Sequence, residues 1–167
     1  MTKIIAPAPG IGPDHPLSHA SQKAMEKVME TLGYVGVLAI EWFQVGDALV
    51  ANEMAPRVHN SGHWSIEGAV CSQFENHIRA VAGLPLGSTE VVRPTVMINI
   101  IGQYPQSEQV LALEGVHLHL YNKEEREGRK IGHLTLMPND TAQLMMLCRQ
   151  LAKILPNPLA LSEDMTI

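Results

Sequence analysis

The alternation of apolar and polar positions divides the chain into a helix, two strands, a polar loop, a second helix, three more strands and a closing helix. Ala24, Met25, Val28 and Leu32 recur at helical spacing, with Lys23, Glu26, Lys27 and Glu30 mostly on the other face. Ser18 can cap this helix over roughly 19–32, and Gly33 stops it. Apolar runs at about 34–43 and 49–54 read as strands joined around Gln44-Val45-Gly46-Asp47. After the bend at Pro56, Ser61-Gly62 argue against a helix and for a shaped loop over Arg57–Trp64. Ser72-Gln73-Phe74-Glu75 is a capping box. It opens a helix to about Ala82, with Phe74, Ile78 and Ala82 predicted inward and Gly83 and Pro85 ending it.

Past a boundary near 85–94, strands are predicted at Thr95–Ile101, Val116–Tyr121 and Lys130–Met137. In the middle one Val116, Leu118 and Leu120 alternate with His117 and His119, which gives one apolar and one polar face. Asn139 or Asp140 caps a last helix to about 154, with Leu144, Leu147, Cys148 and Leu151 at helical spacing. Prolines and glycines make residues 1–16 extended and loop-like, and 159–167 reads as a loose tail.

Composition narrows the class. The chain has 167 residues, 46% hydrophobic and 17% charged, with net charge −5. That length suits one ordinary domain or two small ones with a real core, and the balance implies a soluble globular protein. No dense basic surface marks a nucleic-acid footprint. No apolar run is long enough for a transmembrane helix, and the proline-rich start is no secretory signal, so the expected compartment is the cytoplasm. Cys71 and Cys148 are far apart, which predicts reduced, buried thiols and no disulfide framework.

Candidate chemistry centres on Glu41 and Glu53, one acid on each arm of the hairpin. Carboxylates on apolar strands are costly unless something holds them. Two of them on adjacent strands suit magnesium bound together with substrate phosphates; an exposed sheet face or an ion pair with Arg57 would also accommodate them. A two-residue turn at Gly46-Asp47 would pair Val45 with Ala48 and send the acids to opposite faces. A three- or five-residue loop would pair Gln44 with Ala48 and place Glu53 diagonally beside Glu41 on one face. The odd-length loop is predicted, because it alone lets both acids clasp one cation.

His59 and His63 have zinc-like spacing, but Ser61-Gly62 lie between them and no third ligand is well spaced. A loop carrying Arg57, His59, Asn60, Ser61 and His63 suits a small oxyanion better. Lys123, Arg126, Arg129 and Lys130 form a basic cluster interleaved with Glu124, Glu125 and Glu127. It reads either as a self-paired hairpin tip or, through Arg129-Lys130, as a phosphate contact. His15, His19, His77, His117, His119 and His133 read as structural. Trp42 and Phe43 read as core, or as one wall of an adenine pocket.

The stretches GYVGVLAIEWF, NEMAPRVHNSGHW and YNKEEREGRKIGHL resemble 5-(carboxyamino)imidazole ribonucleotide synthase, the ATP-grasp enzyme of purine biosynthesis, and the resemblance runs from about residue 4 to 155. It implies an α+β fold: the C-terminal half of an ATP-grasp domain over 1–88, then a small β-rich C-terminal domain with a closing helix over 89–167. It implies ATP and Mg2+ as cofactors and aminoimidazole ribonucleotide and bicarbonate as substrates. Glu41 and Glu53 match the family's magnesium-binding acids, with Asn52-Glu53 touching ATP. Arg57, His59 and Asn60 match its bicarbonate or carboxyphosphate site, and Lys123, Arg129 and Lys130 match basic residues near the ribonucleotide phosphate. A homodimer is expected, as is a functional link to the mutase that acts next in purine synthesis, with no nucleic-acid or membrane partner. The family's first ATP-grasp half has no counterpart in these residues, so the 167-residue chain is expected to turn over little by itself. A non-catalytic dimerising or binding remnant, or an ATP-grasp ligase for another acceptor, are the alternatives.

Overall fold

A computed structural model describes residues 3–6 and 10–157. They form two units, 10–92 and 3–6 with 93–157, and the fold is α+β. The expected loose tail over 159–167 lies outside the described residues, as do Pro7 and Pro9.

In unit 10–92, helix α1 (Pro16–Leu32) precedes a hairpin of β2 (Ala39–Val45) and β3 (Ala48–Ala55). The helix begins earlier than predicted, because His15 rather than Ser18 caps it. Nδ1 of His15 accepts from Leu17 N at 3.2 Å, and Pro16 takes the first turn, where no amide is needed. Ser18 Oγ donates instead to Gly12 O at 2.8 Å. Gly33 closes the helix as expected.

The hairpin corrects the predicted register. Val45 pairs with Ala48 around a two-residue turn, not a three- or five-residue loop. Gly46 at φ +59° supplies the left-handed residue that such a turn requires. The acids nonetheless share a face. The ladder shifts between Trp42↔Ala51 and Glu41↔Glu53, leaving Asn52 as an extra residue on β3. One extra residue reverses the alternation beyond it, and this bulge sets Glu53 directly opposite Glu41.

A 3₁₀ turn (Asn60–Gly62), the short helix α2 (Ser65–Gly68) and helix α3 (Gln73–Val81) follow. Ser72 caps α3 as read, its Oγ accepting from Glu75 N at 3.2 Å. The predicted inward face is wrong: Ile78 is 65% exposed, and Phe74 and Ala82 are also exposed. The buried residue is Asn76. Its amide clasps Gly87, accepting from Gly87 N at 2.8 Å and donating to Gly87 O at 3.2 Å. Helical period alone does not say which stripe packs, and here a polar clasp takes the inward position. Phe43 is likewise 57% exposed and not core.

The other unit is an antiparallel sheet in the order β1-β4-β6-β5. It comprises β1 (Lys3–Ala6), β4 (Thr95–Ile101), β5 (Val116–Leu120) and β6 (Lys130–Leu136). The start read as merely extended and loop-like thus contains an edge strand, pairing Ala6 with Thr95. Helix α4 (Ser107–Leu111), which the sequence pattern did not announce, buries Val110. Helix α5 (Thr141–Ile154) is capped by Asp140, whose side chain accepts from Gln143 N at 2.7 Å. Val96, Ile98, Leu134 and Leu136 meet Leu144, Leu147, Cys148 and Leu151 in one core. Each such buried aliphatic side chain contributes roughly 1.5–3 kcal/mol. Both cysteines are buried thiols outside any disulfide. Among the described residues, no helix is long and apolar enough to cross a membrane.

Candidate functional site

Strand β3 ends at buried Ala55, and Arg57 N donates back to Ala55 O at 2.9 Å, turning the chain into the polar loop. Gln73, the first residue of α3, holds that loop from below. Its Oε1 accepts from His59 N at 3.0 Å, and its Nε2 donates to His59 O at 2.8 Å and lies 2.7 Å from His63 Nδ1. Ser65 Oγ donates to Gly62 O at 2.6 Å and accepts from Gln73 N at 2.9 Å. A Cβ at Gly62 would stand 2.6 Å from Gln73 Oε1, so a larger residue there would force the Gln73 amide to shift.

The loop returns to the hairpin through His59. Its Nδ1 lies 2.8 Å from Ser61 Oγ and accepts from Ser61 N at 3.3 Å, while its Nε2 faces Glu41 Oε1 at 3.6 Å. Asn52 Nδ2 lies 3.4 Å from Glu41 Oε2. Glu41, Asn52, Glu53 and His59, assigned to metal, nucleotide and anion on separate grounds, therefore share one neighbourhood. Asn60 Oδ1 is buried without a hydrogen-bond partner among the described residues. Arg57 Nη1 donates to Val58 O at 2.9 Å, and no ion pair with Glu41 or Glu53 is present among the described residues. This removes the Arg57 ion pair as the reason for the acids.

Two like charges directly opposite on a ladder destabilise it unless a cation lies between them. Glu53 has no hydrogen bond or ion pair among the described residues, and Glu41 has only the two long contacts above. No three His, Cys, Asp or Glu side chains gather into a metal cage among the described residues. Magnesium fits this donor set, because it keeps water and phosphate ligands and needs only one or two carboxylates.

The basic segment belongs to the other unit. Lys123 is exposed, with its Nζ 5.4 Å from the centre of the Tyr121 ring. Its backbone is pinned by Tyr104, whose Oη accepts from Lys123 N at 2.9 Å and donates to Lys123 O at 2.7 Å. Arg129 precedes β6 and Lys130 opens it; both are half-buried, with Arg129 Nη1 lying 3.5 Å from Glu124 O. Tyr121 Oη is 2.7 Å from His133 Nδ1, and the His133 ring stacks on His119 at 4.4 Å. Burial pushes the Tyr121 hydroxyl up to about 12.

Two family profiles match: ATP-grasp domain over residues 5–74, and phosphoribosylaminoimidazole carboxylase C-terminal domain over 95–146. The N5-carboxyaminoimidazole ribonucleotide synthase of Vibrio cholerae is 54% identical over 143 residues, 85% of this chain and 38% of that protein. The chain belongs to the N5-carboxyaminoimidazole ribonucleotide synthase family. The synthetase of Thermus thermophilus superposes with a TM-score of 0.87 at 50% identity, over 95% of this chain and 43% of that one. The Aspergillus clavatus synthase, solved with ADP and 5-aminoimidazole ribonucleotide, gives 0.72 at 33%, over 90% and 43%. The chain thus spans about two-fifths of the length of these synthases. Glu41–Asn60 fall within the ATP-grasp match, and Lys123–Lys130 within the carboxylase C-terminal match.

Sequence reading missed Gln73 as the residue that holds the polar loop. The signal was present: the capping box put Gln73 at the first helical position, immediately after the polar loop. Nothing in the sequence pattern announced the Tyr121–His133 contact.

Proposed function

We propose that this chain carries the magnesium and acceptor side of an ATP-dependent ligase that carboxylates aminoimidazole ribonucleotide with bicarbonate. The observation that carries the reading is Glu41 directly opposite Glu53, with His59 Nε2 3.6 Å from Glu41 Oε1. Family membership and the printed ligands of the Aspergillus clavatus synthase support it.

The proposed reaction has two steps. A bicarbonate oxygen attacks the γ-phosphorus of ATP, and ADP leaves to give carboxyphosphate. The exocyclic amine of the ribonucleotide then attacks the carboxyl carbon, phosphate leaves, and the amine gives up one proton. The product is 5-(carboxyamino)imidazole ribonucleotide, of de novo purine biosynthesis. Mg2+ held by Glu41 and Glu53 would neutralise charge on the phosphates. Asn52 and Glu53 face the nucleotide in this reading, and Arg57, His59 and Asn60 orient bicarbonate and carboxyphosphate. Lys123, Arg129 and Lys130 take the ribonucleotide phosphate. A cytoplasmic homodimer that passes its product to a mutase completes the proposal.

The test places this chain in the Thermus thermophilus synthetase in place of the matching 43% of that enzyme. ADP release dependent on both aminoimidazole ribonucleotide and bicarbonate is expected. In the same chimera Glu53→Gln should lower kcat about a hundredfold or more. A folded chimera whose ADP release ignores the ribonucleotide would overturn the substrate assignment.

A further inference from the structure

Gln73 touches the loop of the proposed site at three points, and the three together fix more than shape. Its Oε1 meets a backbone N–H and its Nε2 meets a backbone C=O, both of His59. Backbone groups cannot exchange donor and acceptor roles, so the two ends of the amide are determined. The Nε2 end is therefore also the donor to His63 Nδ1 at 2.7 Å. A ring nitrogen that accepts carries no proton, so His63 is neutral with its proton on Nε2. His59 Nδ1 lies 2.8 Å from Ser61 Oγ, and its Nε2 faces Glu41.

We propose that Gln73 is the positioning residue of this site: its amide clamps the 59–63 loop and holds His63 as a neutral Nε2–H donor. This rests on the carboxylation reading and deepens it. With its Nδ1 occupied by the Gln73 amide, His63 passes no proton through that atom. Its Nε2–H can orient an oxyanion without a change of protonation. Gly62 belongs to the same device, since a methyl group there would occupy the space of the Gln73 amide.

The test uses the 167-residue chain with 15N-labelled histidine, reading ring tautomers from long-range 15N–1H spectra near neutral pH. In the unsubstituted protein, Nδ1 of His63 is expected at the unprotonated position. Gln73→Glu keeps the acceptor for His59 N but replaces the donor to His63 by a carboxylate, so His63 Nδ1 should become protonated. Gly62→Ala, which leaves Gln73 chemically intact, should disturb His63 in the same way. Backbone amide spectra report whether each variant is folded. A protonated His63 Nδ1 in the unsubstituted protein, or a His63 ring unmoved in folded Gln73→Glu, overturns the proposal. In the carboxylation assay Gln73→Glu should raise KM for bicarbonate about tenfold, the value of one hydrogen bond, and an unchanged KM would also overturn it. If the unsubstituted chimera shows no carboxylation, the proposed function fails by itself, and the substrate-free tautomer spectra still decide for or against Gln73.

Discussion

Glu41 stands directly opposite Glu53 across the β2–β3 ladder because Asn52 is an extra residue on β3. The two-residue turn alone would have separated the acids onto opposite faces. The bulge reverses the parity of β3 just before the second acid. Bulges next to active sites commonly re-aim a side chain in this way.

Deleting Asn52 therefore gives a counter-intuitive result. Glu53 then follows Ala51, and a regular ladder still pairs it with Glu41. Mg2+ affinity, followed by calorimetric titration, should change by no more than about threefold, within the range of a lost weak contact. Nucleotide affinity should fall by more, because the Asn52 amide beside Glu41 is gone.

Removing either charge separates stability from metal binding. Without Mg2+, Glu53→Gln should leave urea stability unchanged or raise it by up to about 1 kcal/mol, since a like-charge pair is relieved. With Mg2+ the unsubstituted protein should gain stability in proportion to RT ln(1 + [Mg2+]/Kd), and the variant should lose most of that gain. Equal Mg2+ stabilisation in both proteins would remove Glu53 as a ligand.

Tyr121 makes the fold sensitive to alkali. Its hydroxyl is pushed up to about 12 by burial, above the usual 10. The folded state thus keeps its proton where the unfolded chain has lost it. The contribution is fully present below pH 10 and is lost as pH rises from 10 through 12. With the ring half-exposed, screening reduces it to about 1–2 kcal/mol. Urea melts at pH 9 and pH 11.5 should show this loss, and Tyr121→Phe should abolish the difference.

Truncations should separate the packed sheet from the open helix face. Leu134→Ala removes a fully buried side chain and should cost about 2–5 kcal/mol. Ile78→Ser, on the exposed face of α3, should fall within about 0.5 kcal/mol. A cost above about 2 kcal/mol for Ile78→Ser would mean that this face is packed in solution.

Lys123 lies exposed over Tyr121 with its backbone fixed by Tyr104. Lys123→Ala should weaken ribonucleotide binding about five- to fiftyfold, as expected for one charge-assisted contact to phosphate. The loss should shrink in high salt. An unchanged affinity would return the basic segment to a solvated hairpin tip.

The sequence by itself determined the elements whose signals are local. Strand β4 spans the predicted Thr95–Ile101, and the Ser72 and Asp140 caps hold the helices they announce. It also determined the family, because the motif around Asn52–Trp64 is dense enough to carry it. Tertiary structure decided everything that depended on which face packs or how two segments align. A bulge is one residue of mismatch between strands, invisible to the periodicity of either, so the register of the acids was misread. Burial of α3 went to Asn76 rather than Ile78 because a side-chain clasp to Gly87, eleven positions away, outweighed the apolar stripe. Gln73 gained its place in the site only when the fold laid the start of α3 beneath the His59–His63 loop.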